Sequence, residues 1–536
     1  MSDKIQMDSS QDTPVTETQP AAEEIKAKPE EKKETRPFKG RISALGNADT
    51  SSLPIQIGYV YIALPMYIFF AGWLRLPVAM VMEFALTIGL VLAMKSAPKM
   101  DVSHLRKAGP AKLFMILLIS VVWVYLSGIG KYSYQNFDHM WRNAILDKLV
   151  TSDWPVIVPN AQPFFQNPVT MIYYFALWLP AACVGKLWGL GAAHTFLFYW
   201  CVIGVLIVML LISGLLKKAS PWIALAFVFF SGLDAVGDFV LHNSAGYFWL
   251  NTVHIENWAT GFQISCMSTQ LFWVFNQAIP AWIITLLLMH QKDNKSVIWI
   301  YSFSFLGCTL PAIGLIPIVA CIGIRRIVQM YDKSKPMKEN ATAIFRDACT
   351  TQNILSGLSI TLISYLFLKS NSTSAGGFRR IDMKRFMMSY LLMALFEFLV
   401  YYFAIYSRKK RDPLYWTSLA TLLVVPTIGF GTHIDFCMRA SIPALVILFV
   451  LVIGALEESR KVKAFKQTAV IITLLVFGGI TAYHEISRSV FYTIDHINNP
   501  DVQVVATEID LIEDSCRNNF FGEYEDSFFF RCLAKQ

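Results

Sequence analysis

Apolar runs of about twenty residues recur along this chain, separated by short polar gaps, and they constrain the fold more than any other feature. At 1.5 Å per helical residue, each run matches the roughly 30 Å hydrocarbon core of a bilayer. Inside that core every backbone N–H and C=O must find a partner within the protein, so a run of this length must cross as a helix. Apolar residues make up 55% and aromatics 14% of the sequence, a balance that a soluble domain does not carry. The net charge of +8 implies no nucleic-acid partner, because the basic residues cluster at the ends of apolar runs, where they set orientation.

The runs predict an all-α polytopic membrane protein with about 13 transmembrane helices, in a range of 12–14, near 55–73, 77–95, 111–130, 193–215, 220–237, 271–290, 296–310, 311–328, 353–368, 386–406, 413–430, 440–456 and 467–483. The basic connections 95–112, Lys217–Lys218, 290–295, 325–338, 407–411 and 458–466 then share one side, which the positive-inside rule makes cytoplasmic. This alternation requires that 168–190, interrupted by Pro168, Pro180 and Lys186, lie in or dip into the outer interface; a fourteenth span is the alternative. Residues 1–50 are rich in Glu, Lys, Pro and Thr and predict a disordered cytoplasmic tail. They hold no apolar h-region, so the first span is expected to direct insertion. A transmembrane domain over 51–484 and an external tail over 485–536 complete a multi-pass cell-membrane protein with its N-terminus cytoplasmic and its C-terminus external.

Four polar segments then face outside: 131–168, 234–270, 369–385 and 431–439. In the first, Asp138 and Arg142 are four residues apart, on one face of a helix just beyond an apolar run. They read either as a catalytic carboxylate with its partner or as a simple helix salt bridge. Lys369, Arg379, Arg380, Lys384 and Arg385 face a single acid, Asp382, and the last segment adds Arg439. Cations on the translocated side suit an anionic ligand such as the phosphate of a lipid-linked substrate, although contact with ordinary membrane lipid, or a different topology, would also account for them. The second loop combines Asp234, Asp238, His254 and Glu256 with Tyr247, Trp249, Trp258 and Trp273, as sugar binding requires, while each aromatic taken singly also suits a membrane anchor. His254 and Glu256 are two apart, so they converge only on an irregular segment; with Asp138 or Asp234 they could hold a divalent ion, but no spacing is diagnostic of a metal. Glu83 and Glu397 fall inside predicted spans. No P-loop, dinucleotide fingerprint or zinc-finger spacing is present.

An early span, a long external loop with Asp138 in NFDHMWRN near its start, the Trp154–Pro155 pair, Tyr173–Tyr174 in an interfacial stretch and a helix ending at Lys217–Lys218 resemble the GT-C class of membrane glycosyltransferases over roughly residues 111–291. The chain departs from that pattern in an extra helical hairpin at 55–95 and in Asp-His where many members carry an acidic pair. The resemblance implies Asp138 as catalytic base, a polyprenyl-phosphate sugar as donor, a glycan, lipid or protein as acceptor, and transfer at the outer face of the cytoplasmic membrane in cell-envelope assembly. Arg142, Asn143, Asp234, His254, Glu256, Trp258, Arg379, Arg380 and Arg439 are the candidate substrate-binding residues, with metal dependence open. A polymerase or ligase of lipid-linked glycans and a secondary transporter are the competing classes; large loops early in the chain count against the first, and the lack of an internal repeat counts against the second. In the external tail, Cys516 and Cys532 are placed to close a disulfide, or else Phe520, Phe521, Phe528, Phe529 and Phe530 hold it to the loops.

Overall fold

A computed structural model describes residues 50–242, 254–371, 378–431, 433–501, 503–507, 509–523, 525 and 527–535, without the side chains of 242, 378–380 and 383. The expected tail at 1–49, and Tyr247 and Trp249, lie outside the described residues.

Among the described residues nine helices are long and apolar enough to cross a membrane: Leu53–Trp73, Leu76–Ser96, Ser103–Leu126, Leu190–Leu216, Met267–His290, Thr309–Met330, Lys384–Lys409, His433–Lys461 and Phe465–Asn498. A tenth is counted if Met337–Ala348 and Gln352–Lys369, which meet at 46°, form one bent span. The architecture is thus a polytopic helical membrane protein, but three of the thirteen expected spans are not helices of spanning length. The run at 220–237 is helical only over Pro221–Val228 and again from Asp234. Between them Ser231 O accepts the Tyr401 hydroxyl at 2.8 Å, and Gly232 packs so closely on Glu397 that a Cβ there would collide with it. The run at 296–310 breaks at Cys308, whose φ of −156° is not helical. The run at 413–430 is helical over Pro413–Val424. Pro426 then lacks an N–H to continue the ladder, and Ile428–Phe430 turns into a strand paired with Phe378–Arg380.

The segment 168–190 is a strand at Val169–Met171 followed by the apolar helix Ala176–Trp188, which is shorter than a span. The basic connections gather at one end of the bundle: Lys292 Nζ donates to Lys99 O at 3.4 Å, Lys218 pairs with Glu457 at 2.8 Å, and Lys409 pairs with Glu458 at 2.5 Å.

The final helix runs unbroken to Asn498, past the expected boundary at 484, and the chain after it folds onto the first loop. Phe521–Glu523 joins Val169–Met171 and Ile157–Val158 in an antiparallel sheet, with Thr170 opposite Gly522. Gln135 N donates to Val504 O at 2.8 Å, and Trp141 Nε1 donates to Asp514 Oδ1 at 3.1 Å. At the turn between the first two spans, Arg75 Nε donates to Ala534 O at 2.9 Å. Buried Phe529 stacks on Phe69 and meets Phe367 edge-on, with ring centroids 6.3 and 5.3 Å apart. The expected bridge does not form: Cys516 and Cys532 are free thiols, and aromatic packing with strand pairing holds the tail instead. A maleimide reagent applied to native protein without reductant should therefore label both cysteines, exposed Cys532 first, while buried Cys201, Cys266, Cys308 and Cys437 react only after denaturation.

Candidate functional site

The chain leaves the span Ser103–Leu126 through Gly128 and Gly130 at φ of 82° and 88°, a region that side chains avoid. A Cβ on Gly128 would lie 2.6 Å from Tyr134 O, so glycine is required for so tight an exit. The loop then starts the helix His139–Thr151, with Asp138 at its N-cap. One turn on, buried Arg142 reaches back: its Nη2 lies 2.9 Å from Asp138 Oδ2 and donates to Trp273 O at 3.2 Å, while Nη1 donates to the Tyr173 hydroxyl at 3.3 Å.

Tyr173 stacks on Tyr174 with ring centroids 3.8 Å apart, and Tyr174 accepts at 3.3 Å from Nη1 of a second buried arginine, Arg439. Asp435, one turn earlier on the same helix, pairs with Arg439 Nη2 at 3.0 Å. Two guanidiniums therefore flank one tyrosine pair, and the buried Nε of each has no hydrogen-bond partner among the described residues. Burial, and then Tyr173, push the Tyr174 phenol well above its ordinary range, so it remains a neutral hydroxyl.

Trp273 extends the cluster. Its indole donates to Glu485 Oε2 at 3.0 Å, and the same oxygen takes Arg488 Nη2 at 2.5 Å. His254 packs on the Trp273 ring at 4.4 Å, with Nδ1 3.3 Å from Glu485 Oε1. Burial lowers the His254 pKa although Glu485 pulls the other way, which leaves a neutral imidazole at pH 7. His484 is buried beside Glu485, its Nδ1 3.9 Å from Oε1.

Asp234, Glu256 and Trp258 come together elsewhere, around Glu397 of the span Lys384–Lys409. Trp258 Nε1 donates to Asp234 Oδ1 at 3.2 Å and to Glu397 Oε1 at 2.9 Å; Asp234 Oδ2 accepts from Ser231 and Thr481, each at 2.8 Å. Glu256 accepts from Cys266 N at 2.8 Å, Gln263 at 2.9 Å and Ser265 at 2.5 Å. All three carboxylates are buried, and Asp234 and Glu256 accept only from protein donors among the described residues, while Glu397 takes Trp258 on Oε1. His254 and Glu256 consequently diverge, and among the described residues no three His, Cys, Asp or Glu side chains converge on a metal position. Asn143 lies apart from the arginine–tyrosine group: its Nδ2 donates to Gln135 Oε1 at 2.9 Å, and that oxygen also takes Ala506 N at 3.1 Å, so Asn143 helps fasten loop to tail. Arg379 and Arg380 lie on a strand, and their side chains are outside the described residues.

The structure thus unites Asp138, Arg142, His254 and Arg439 of the expected residues, adding Tyr173, Tyr174, Trp273, Glu485 and Arg488. The last two carry the same mark as Asp138, charge directly after an apolar run, in the stretch HEISR at 484–488.

Burial, and then Asp234, raise the Glu256 pKa from its ordinary 4.5 to about 8. The folded protein holds this proton to higher pH than the unfolded chain does, so stability falls as pH rises from 4.5 to about 8. Thermal unfolding in detergent should show Tm dropping across that window, and Glu256→Gln should flatten the profile; an unchanged slope would show that another group titrates there. No protein-family model, curated protein or solved structure matches the chain.

Proposed function

We propose that the protein is a membrane glycosyltransferase of the GT-C kind, transferring a sugar from a polyprenyl-phosphate donor to an acceptor hydroxyl at the membrane face carrying the first loop. The observation that supports this most strongly is the pair of buried arginines, Arg142 and Arg439, on the Tyr173–Tyr174 stack beside Asp138. Two like charges kept this near one another out of water repel, and each Nε still has a donor to give. A phosphate diester fits such a site, because planar guanidiniums bind its oxygens with charge-assisted hydrogen bonds.

In the transfer, the acceptor hydroxyl attacks the anomeric carbon as its proton passes to Asp138. The anomeric C–O bond breaks, and the electron pair leaves on the lipid phosphate. Arg142 and Arg439 neutralise the charge that develops there. Arg142 also positions the base, since its Nη2 lies 2.9 Å from Asp138 Oδ2. By the positive-inside rule the site faces the outer side of the cytoplasmic membrane, opposite the basic connections.

A second reading is a proton-coupled transporter, which the buried acids Asp234 and Glu397 inside the bundle favour. One assay separates the two. Membranes carrying the protein are incubated with radiolabelled polyprenyl-phosphate sugars, and one donor should be consumed. Asp138→Asn should cut turnover by about 10²–10⁴ while donor binding persists, because it removes a base without changing size. Arg142→Ala and Arg439→Ala should weaken donor binding instead. Failure to consume any donor, or an Asp138→Asn enzyme keeping more than about a tenth of its turnover, would overturn the proposal.

A further inference from the structure

On the flank of the bundle an open apolar groove of about 520 Å³ lies between the short helix Pro221–Val228, the end of the helix Ile442–Lys461 and the final helix, lined by Trp222, Phe229, Leu456, Ile472, Val476 and Gly479 among others. The helix Pro221–Val228 is too short to span a bilayer, and Trp222, Leu225 and Ala226 on it form one wall of the groove. Along the final helix the groove runs from Ile472 to Tyr483, about 16 Å at 1.5 Å per residue. That is the depth of one leaflet, half of a hydrocarbon core of roughly 30 Å.

The mouth at the basic end is charged. Arg460 and Lys218 both lie over the Trp222 ring, 5.4 and 5.6 Å from its centroid. Both approach one carboxylate, Glu457, at 3.7 and 2.8 Å, so two cations share a single negative charge. The neighbouring Glu458 is taken by Lys409 and does not offset the excess.

We propose that this groove is a binding site for one anionic phospholipid of the leaflet at the basic end, with its phosphate on Arg460 and Lys218 and one acyl chain between Trp222 and Tyr483. Charge fixes the direction of the lipid. A tail descending from the Asp138 site would end against two cations, whereas a headgroup at the basic end is neutralised by them. The groove is therefore distinct from any donor-lipid path, and the inference does not depend on the glycosyltransferase reading.

Native mass spectrometry of the full chain in mild detergent, offered equal amounts of phosphatidylglycerol and phosphatidylcholine, tests this. One phosphatidylglycerol per chain should remain bound, preferred by about tenfold, as one charge-assisted contact predicts. The double variant Lys218→Gln/Arg460→Gln should lose the preference. Gly479→Leu should lose both lipids, because a Cβ at Gly479 finds nothing nearer than Phe229 at 3.6 Å and a leucine there projects into the slot. Elution of each variant as the wild type on size exclusion establishes that it is folded. Equal retention of the two lipids by the wild type, a preference that survives the double variant, or displacement of phosphatidylglycerol by a polyprenyl phosphate would each overturn the proposal.

Discussion

A guanidinium taken out of water must be paired, and the pairing of Arg142 organises the loop end of this protein. Its three contacts reach three different pieces of chain: the helix start at Asp138, the interfacial stretch at Tyr173 and the span backbone at Trp273. Removing one partner from a buried ion pair typically costs about 3–5 kcal/mol, far more than an exposed helix salt bridge contributes. The Asp138–Arg142 spacing taken alone suited such an exposed bridge; burial gives the same pair a different weight. Trp273 passes the constraint on, since its carbonyl holds Arg142 while its indole holds Glu485, which in turn fixes Arg488 and faces His254.

The tail after Asn498 stabilises this arrangement from above. Strand 521–523 pairs with Val169–Met171 just before the two site tyrosines, and Phe520 lies 5.1 Å from the Tyr173 ring. The position of the tyrosine stack is thus set by backbone hydrogen bonds to residues three hundred and fifty positions away in the sequence, such as Val169 opposite Glu523. A loop with so few regular elements of its own gains its rigidity from this pairing and from Phe529 in the space between Phe69 and Phe367.

The sequence revealed the class of the fold and one half of the site. Apolar length identified all nine long helices, charge next to an apolar run singled out Asp138 and Arg142, and an excess of cations on the translocated side singled out Arg439. Apolar length alone could not reveal that 220–237 stops at Phe229, because the cause is tertiary: Gly232 must pass against Glu397, and Tyr401 captures Ser231 O. Nor could composition separate Trp273, which joins the site from a span, from Trp258, which serves buried acids; both belong to the stretch 231–282, where aromatic and polar residues are mixed. Asn143 follows Arg142 in the chain, but successive helical positions point apart, and it faces Gln135.

The two clusters are close in the chain at two points, and this joins their behaviour. Thr481 donates to Asp234, and one turn later on the same helix Glu485 receives Trp273 and Arg488. The short segment 254–258 connects them again, sending His254 toward Glu485 while Glu256 and Trp258 turn to the buried acids. Trp258 donates to Asp234 and Glu397 at once, so its ring is held only while those carboxyls keep their spacing. The buried acids and the candidate site are therefore joined through backbone geometry: the same short segment that fixes Trp258 on Asp234 and Glu397 sets His254 beside Glu485, and with it one side of the cluster in which Arg142 and Asp138 meet.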